Sequence, residues 1–117
     1  MVNKVILLGN VGGEPETKVL DSGVQMTKLS LATTKRWKTD GEPREETQWH
    51  TIIMWRGLSK VTEKYVKKGS KIYIEGELTH RNYQGDDGVK KYFTEVVASE
   101  MKMLDGKKTN DSETDKN

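Results

Sequence analysis

Four aromatic side chains stand beside basic or polar residues in this sequence. The segments are Lys35-Arg36-Trp37-Lys38, Gln48-Trp49-His50, Met54-Trp55-Arg56 and Arg81-Asn82-Tyr83. A flat ring can stack on a base that no duplex covers, and a neighbouring cation can neutralise a phosphate. Each ring alone could equally belong to a core whose charged neighbours reach solvent. Four such segments in one small chain favour a surface that binds an unpaired nucleic-acid strand.

Basic residues supply the second part of that chemistry. The net charge is only +2, so affinity for a polyanion must come from the distribution of charge. The cations that we expect at nucleic acid are Lys35, Arg36, Lys38, Arg56, Arg81, Lys90 and Lys91. A charge cluster is also common on any solvated face, and the sequence alone does not place these clusters on one side.

The sequence offers little for catalysis or metal binding. His50 and His80 are the two histidines and no cysteine is present, so we expect no metal site and no cofactor. Glu75 and Glu77 share a strand parity and could chelate a metal, which leaves a metal-dependent nuclease as an alternative. No third acidic ligand or nearby base accompanies them. We therefore expect a protein that is not an enzyme.

Length and composition indicate one domain inside a cell. A chain of 117 residues has room for one compact domain, residues 1 to 104, and the absence of cysteine favours an intracellular location. The apolar run within residues 1 to 8 is too short to span a membrane, so no membrane partner is expected. Residues 105 to 117 contain no apolar residue and are predicted to form a disordered polar tail.

The elements that must position the rings are predicted to be short strands and one helix. Apolar patterns predict strands over residues 3–11, 24–33, 47–55, 71–83 and 90–104. Leu58, Val61 and Tyr65 fall at helical spacing between the third and fourth strands, with Gly69 as a stop. This order predicts an all-β protein, the five-stranded Greek-key barrel of the OB fold, with one short helix between strands three and four.

Two local patterns refine that expectation. Period two in the third predicted strand puts Trp49 and Trp55 on one face, with Ile52 and Met54 on the other. Residues 34 to 46 are polar and interrupted by Asp40-Gly41, which predicts a mobile loop. The first strand is apolar on both parities, which favours core on one side and another subunit on the other.

Several separate blocks of the sequence resemble the bacterial-type single-stranded DNA-binding protein family. They are Asn3-Lys4-Val5-Ile6-Leu7-Leu8-Gly9-Asn10, Leu31-Ala32-Thr33, Thr47-Gln48-Trp49-His50, Tyr65-Val66-Lys67-Lys68-Gly69-Ser70, Ile72-Tyr73-Ile74-Glu75-Gly76 and Tyr92-Phe93-Thr94-Glu95-Val96-Val97. The resemblance covers about residues 2 to 104 in sequence order. Agreement among several blocks is more specific than any single motif.

The resemblance implies a homotetramer in the bacterial cytoplasm, associated with the nucleoid. It would wrap single-stranded DNA with weak sequence preference and protect the strand during replication, recombination and repair. The family's stacking aromatics fall on Trp37, Trp49, Trp55 and Tyr83, where the commonest pattern has phenylalanine at the third position and tryptophan at the fourth. The expected subunit-interface residues are Lys4, Ile6, Leu8, His50 and Tyr73.

The last thirteen residues depart from the family pattern. Typical members carry a long linker and an acidic tip with apolar residues that partner proteins bind. Residues 105 to 117 have neither, so we expect replication and repair proteins to bind weakly or not at all through them. The chain is interpreted as either a trimmed core or a short branch such as a mobile-element copy.

A protein-binding OB adaptor is the remaining alternative for the function. It predicts that the aromatic rings are gathered in one apolar patch.

Overall fold

A computed structural model describes residues 1–104 of the chain, and the predicted disordered tail, 105 to 117, lies outside the described residues. The elements in chain order are β1 (Val5–Val11), β2 (Glu16–Val19), β3 (Gln25–Thr39), β4 (Glu42–Trp55), α1 (Arg56–Tyr65), β5 (Lys71–Gln84) and β6 (Lys90–Met103). The five predicted strands and the helix are confirmed. The short strand β2 was not predicted, because its polar sequence follows a glycine-rich break.

Pairing of β1 with two strands closes the sheet into a barrel. β1 pairs antiparallel with β5 along most of its length, and with β3 at Asn10 and Val11. The order around the barrel is β1-β5-β6-β4-β3, with β4 and β6 parallel, and β2 adds to the outer edge of β3. The predicted all-β OB barrel of five strands is therefore confirmed, with α1 between its third and fourth strands.

Alternate residues of the strands fill the barrel interior. The largest fully buried apolar side chains are Leu31, Ile52, Met54, Ile72 and Ile74. In β4 the exposed rings Trp49 and Trp55 alternate with Ile52 and Met54, as the period of two predicts. Because neighbouring side chains on a strand point to opposite faces, burial of these two fixes the two rings on the outside.

Residues 34 to 46 do not form a loop, so that prediction is wrong. β3 and β4 stay paired up to the turn, and Asp40 and Gly41 have φ values of 52° and 81°. Positive φ at both central residues is the requirement of a type I′ turn, for which Asp-Gly is a strong signal. Cross-strand partners of opposite charge, such as Arg36 and Glu45, stabilise the pairing. We name this projecting hairpin, residues 34 to 47, the arm.

The inward face of α1 is mostly polar, because, of the three residues at the predicted helical spacing, Leu58 alone packs against the core. Ser59 and Thr62 are fully buried, whereas Val61 and Tyr65 are exposed. The Oγ of Ser59 lies 2.6 Å from Oγ1 of Thr27 on β3. Because the buried hydroxyls have partners, this polar side can pack on the barrel and leave the Tyr65 ring outside.

Candidate nucleic-acid interface

Trp49 lies on the outward face of β4, and 63% of it is exposed. Its ring lies against Gly12, just past the end of β1. A Cβ atom at Gly12 would overlap Cζ3 of the ring and lie 3.0 Å from Cη2. The Gly12 amide donates to the Ser30 carbonyl at 2.8 Å, which fixes this backbone to β3. The missing side chain of Gly12 therefore leaves the space that the Trp49 ring occupies.

Trp55 lies at the end of β4, beside a groove of about 530 Å³ on the outside of the barrel. This size falls in the range of ordinary small-molecule sites. Its apolar lining consists of Leu20, Met26, Ile53, Trp55 and Val97, and its polar lining of Thr79, Arg81 and Glu95. We name it the barrel groove. It brings Trp55 and Arg81, two of the predicted binding residues, into one site.

Arg81 and Glu95 form a two-point ion pair in the barrel groove. Nε of Arg81 donates to Oε1 of Glu95 at 2.9 Å, and Nη2 donates to Oε2 at 3.0 Å. The Glu95 side chain is only 5% exposed, whereas that of Arg81 is 66% exposed. Hydrogen bonding and charge attraction from Glu95 raise the pKa of Arg81 above its ordinary value. The pair therefore holds a charged guanidinium in one plane at the surface.

Trp37 lies on the arm, with Nζ of Lys35 5.6 Å from its ring centroid. This distance is within the range of a cation–π interaction. Side chains alternate between the two faces along β3, and Trp37 lies on the same face as Leu31, whose side chain is buried in the barrel interior. Trp49 and Trp55 lie on the opposite face of the β3–β4 sheet. The three rings therefore do not form one row on a single face of the paired strands.

The arm also gathers three of the predicted cations around Trp37. Lys35, Arg36 and Lys38 all lie on β3 within the arm and are exposed. Nε of Arg36 lies 2.9 Å from Oε1 of Glu45, and both side chains of this pair are well exposed. The arm is therefore a hydrated surface of mixed charge with one ring.

The β5–β6 hairpin places the remaining predicted positions beside one another. Tyr83 near the end of β5 pairs across the hairpin with Lys91, and Gln84 pairs with Lys90. The two lysines are exposed at the start of β6. An aromatic position and two cations therefore lie together at this end of the hairpin, and Tyr83 is on the strand that also carries Arg81.

Arg56 follows Trp55 as the first residue of α1 and is exposed. Its φ of 55° lies in the left-handed region, which is uncommon for a residue with a side chain. This conformation turns the chain sharply from β4 into the helix, directly after the ring of Trp55.

The outward face of β1 and β5 brings together four of the five predicted interface residues. Ile6 and Leu8 are 56% and 49% exposed, and Leu8 pairs with Tyr73. Nζ of Lys4 lies 3.2 Å from Oε1 of Glu75, and the Tyr73 hydroxyl donates to the other oxygen of that carboxylate. The bond from Tyr73, then that from Lys4, lowers the pKa of Glu75 and keeps it charged.

His50 lies on β4, with Nε2 2.9 Å from Oγ1 of Thr33. Within residues 1 to 104, no group of three or more His, Cys, Asp or Glu side chains could hold a metal ion. Glu75, a candidate ligand in the nuclease alternative, is bonded to Tyr73 and Lys4 instead. The same part of the chain has no helix that is both long and apolar enough to cross a membrane.

Glu95 and Gly12 are the site residues that the sequence analysis missed. Glu95 could have been found by aligning β5 and β6 about their turn, which places Arg81 opposite Phe93, two residues before Glu95 on the same strand face. Gly12 carried no comparable signal, because a glycine after an apolar strand is ordinarily a bend.

The family model of the single-strand binding protein family matches residues 2–104. A single-stranded DNA-binding protein of Xanthomonas axonopodis pv. citri is 47% identical over 107 residues, which is 91% of this chain and 59% of that protein. A single-stranded DNA-binding protein of Rhizobium meliloti is 48% identical over 113 residues, which is 91% of this chain and 65% of that protein.

A solved structure titled Plasmodium falciparum SSB complex with ssDNA superposes with a TM-score of 0.82 at 32% identity, covering 90% of this chain and 96% of that one. The chain spans about three fifths of the length of the curated relatives it matches. The family is defined by binding rather than by a catalysed reaction. On the extent of these matches, the chain belongs to the single-strand binding protein family.

Proposed function

We propose that this protein binds single-stranded DNA without strong sequence preference and protects it during replication, recombination and repair. The observation that carries the proposal is the outward row of Trp49 and Trp55 on β4, with Arg81 in the adjoining groove. Exposed rings on a rigid barrel strand are suited to bases that lack a pairing partner. The names of the relatives, and the strand in the Plasmodium complex, support the same ligand.

Binding involves no catalysed reaction, and two separate interactions contribute to the affinity. Stacking is available to every base, which explains weak sequence preference, and phosphate neutralisation by lysine and arginine adds an affinity that depends on salt. Trp37 and Tyr83 extend the stacking positions onto the arm and the β5–β6 hairpin. The exposed lysines at those two places, Lys35, Lys38, Lys90 and Lys91, supply the salt-dependent term.

The proposal is tested by the affinity of the protein for a labelled thymidine oligomer and for a duplex of equal length. We expect tight binding of the single strand and much weaker binding of the duplex, because duplex bases are already stacked on one another. Log affinity should fall linearly with log salt. Replacing Lys90 and Lys91 together by alanine should flatten that line, with about 0.7 of slope lost per phosphate contact on a single strand. Equal affinity for the two DNA forms would refute the proposal.

We also propose that the protein assembles as a homotetramer through the outward face of β1. Ile6 and Leu8 leave apolar surface uncovered there, beside the charged pair of Lys4 and Glu75. A second copy could cover the apolar pair while the carboxylate keeps both of its donors. Sedimentation at micromolar concentration should give four times 13.3 kDa. A persistent monomer would refute this assembly while leaving strand binding intact.

A further inference from the structure

We propose that the barrel groove is a subsite for an uncharged nucleobase, in which the ion pair of Arg81 and Glu95 acts as a flat platform and makes no phosphate contact. The inference rests on the proposed function and goes beyond it, because it separates one arginine from the other cations of the site. It also assigns a role to Glu95, a buried acid in a surface that binds an anion.

The charge of the groove argues against a phosphate. Both oxygens of Glu95 accept from Arg81, at 2.9 and 3.0 Å, so the carboxylate neutralises the guanidinium in the free protein. A phosphate that approached Arg81 would meet this carboxylate at close range and would leave water for a largely apolar lining. Removing an unpaired charge from water is costly.

The shape and lining of the groove favour a base. Leu20, Met26, Ile53, Trp55 and Val97 supply apolar walls. A base is flat and uncharged, and it can stack on an aromatic ring or on an arginine guanidinium plane. Trp55 offers the first kind of surface and Arg81 offers the second. The bidentate bond fixes the guanidinium plane before DNA arrives, so little side-chain entropy is lost on binding.

Glu95 is accordingly a positioning residue. Its side chain is nearly fully buried, and it reaches the ligand only through Arg81. Its predicted effect on binding is electrostatic as well as geometric. With the carboxylate present, Arg81 adds nothing to the salt dependence of binding, and without it Arg81 becomes a free cation.

The experiment measures the affinity of the full chain for a thymidine oligomer of about eight nucleotides, within the site size of one OB domain, over a range of salt. An abasic oligomer of the same length carries the same phosphates without bases. The variants are Arg81→Gln and Glu95→Gln, with Lys35→Gln on the arm as the control for a phosphate contact. The double variant Arg81→Gln with Glu95→Gln removes the guanidinium plane while keeping the net charge of the groove, and it leaves no buried carboxylate unpaired.

We expect the double variant Arg81→Gln with Glu95→Gln, which keeps the net charge of the groove, to weaken binding of the thymidine oligomer about tenfold, within the range of base stacking, at an unchanged salt slope. The loss should disappear on the abasic oligomer. Glu95→Gln should steepen the slope by about 0.7, and Lys35→Gln should reduce it by about 0.7 on both oligomers. Arg81→Gln alone leaves the Glu95 carboxylate unpaired beside the DNA, so its loss of affinity should be at least as large.

Three results would overturn the inference while leaving the proposed function in place. They are a salt slope that falls in the double variant, an equal loss of its affinity for the abasic oligomer, and no loss of affinity in the double variant. A wild-type protein that does not bind the thymidine oligomer would overturn the proposed function and this inference together.

Discussion

The arm and the barrel groove both place a ring beside a cation, but they hold the cation differently. On the arm, Lys35 lies 5.6 Å from the Trp37 ring, and the neighbouring pair of Arg36 and Glu45 is exposed on both sides. In the groove, Arg81 is bonded at two points to a carboxylate that is almost fully buried. The arm therefore presents hydrated charges, whereas the groove presents a fixed and neutralised one.

This difference shows that a cation next to a ring does not define one kind of contact. A hydrated lysine on a hairpin can follow a phosphate and release counterions when it does so. A guanidinium neutralised before binding contributes shape and a stacking plane. The arm is therefore suited to phosphate contacts and the groove to base contacts. Their local sequences, Lys35-Arg36-Trp37 and Arg81-Asn82-Tyr83, both place a cation near an aromatic residue and do not reveal this difference.

Truncation of a ring should separate the two regions most clearly. We expect Trp55→Ala to cost about 1–3 kcal/mol of binding free energy, because the ring belongs to a groove with apolar walls. Trp37→Ala should cost under about 1 kcal/mol, because the hollow beside its ring is lined by Pro43 and charged side chains, among them Arg36 and Glu45, rather than by apolar side chains. Titration of a thymidine oligomer measures both.

Tyr65→Ala provides the matched control for both ring variants. Tyr65 is exposed on α1 and has Nζ of Lys64 5.5 Å from its ring centroid, so it has the same local chemistry as Trp37 in another place. Its truncation should leave affinity unchanged. A larger loss for Trp37→Ala than for Trp55→Ala would reverse the comparison.

The two arginines should differ in their effect on the stability of the fold. Arg81→Ala leaves the buried Glu95 without its two charged hydrogen bonds, and we expect it to lower the free energy of unfolding by about 1–3 kcal/mol. Arg36→Ala removes an exposed pair and should cost under about 1 kcal/mol. Urea unfolding without DNA measures both values. Equal losses of unfolding free energy would mean that the ion pair of Arg81 and Glu95 stabilises the fold no more than the ion pair of Arg36 and Glu45.

A smaller effect is expected from the residue under Trp49. Gly12→Ala places a methyl group where the ring now lies, so the ring must shift, and we expect affinity for single strands to fall about fivefold, a fraction of a full stacking contribution. Gly13→Ala is the control, because a Cβ atom there meets nothing within 4 Å. Binding titration of the two variants should therefore separate ring position from the general cost of replacing glycine. Equal affinities would show that the position of Trp49 does not matter.

The strands of the barrel could be predicted because buried and exposed residues alternate along the sequence. Ile52 and Met54 alternate with Trp49 and Trp55, so one strand of sequence fixes both an inner and an outer face. The same holds for the position of α1 between two apolar strands. The face of α1 that packs on the barrel could not be predicted in the same way. Ser59 and Thr62 are buried there with hydroxyl hydrogen bonds, which the spacing of apolar residues does not predict.

The site was predicted in its residues but not in their arrangement. Composition and charge predicted a loop for residues 34 to 46, which form most of the arm. The Asp40-Gly41 pair within them is nevertheless typical of a hairpin turn. The partner of Arg81 lies fourteen positions away on another strand, so it depends on hairpin register. The space that Gly12 leaves for Trp49 depends on how β1 meets β4 in the closed barrel, which only tertiary structure reveals.

Intrinsic tryptophan emission tests the central claim most directly, because Trp37, Trp49 and Trp55 are the three tryptophans of the chain and all three are exposed. Stacking of bases on these rings should quench the emission strongly when a thymidine oligomer is added, and duplex DNA of equal length should leave it nearly unchanged. Trp55→Ala should remove part of the quenching. Equal quenching by the two forms of DNA, or none by the single strand, would contradict the account.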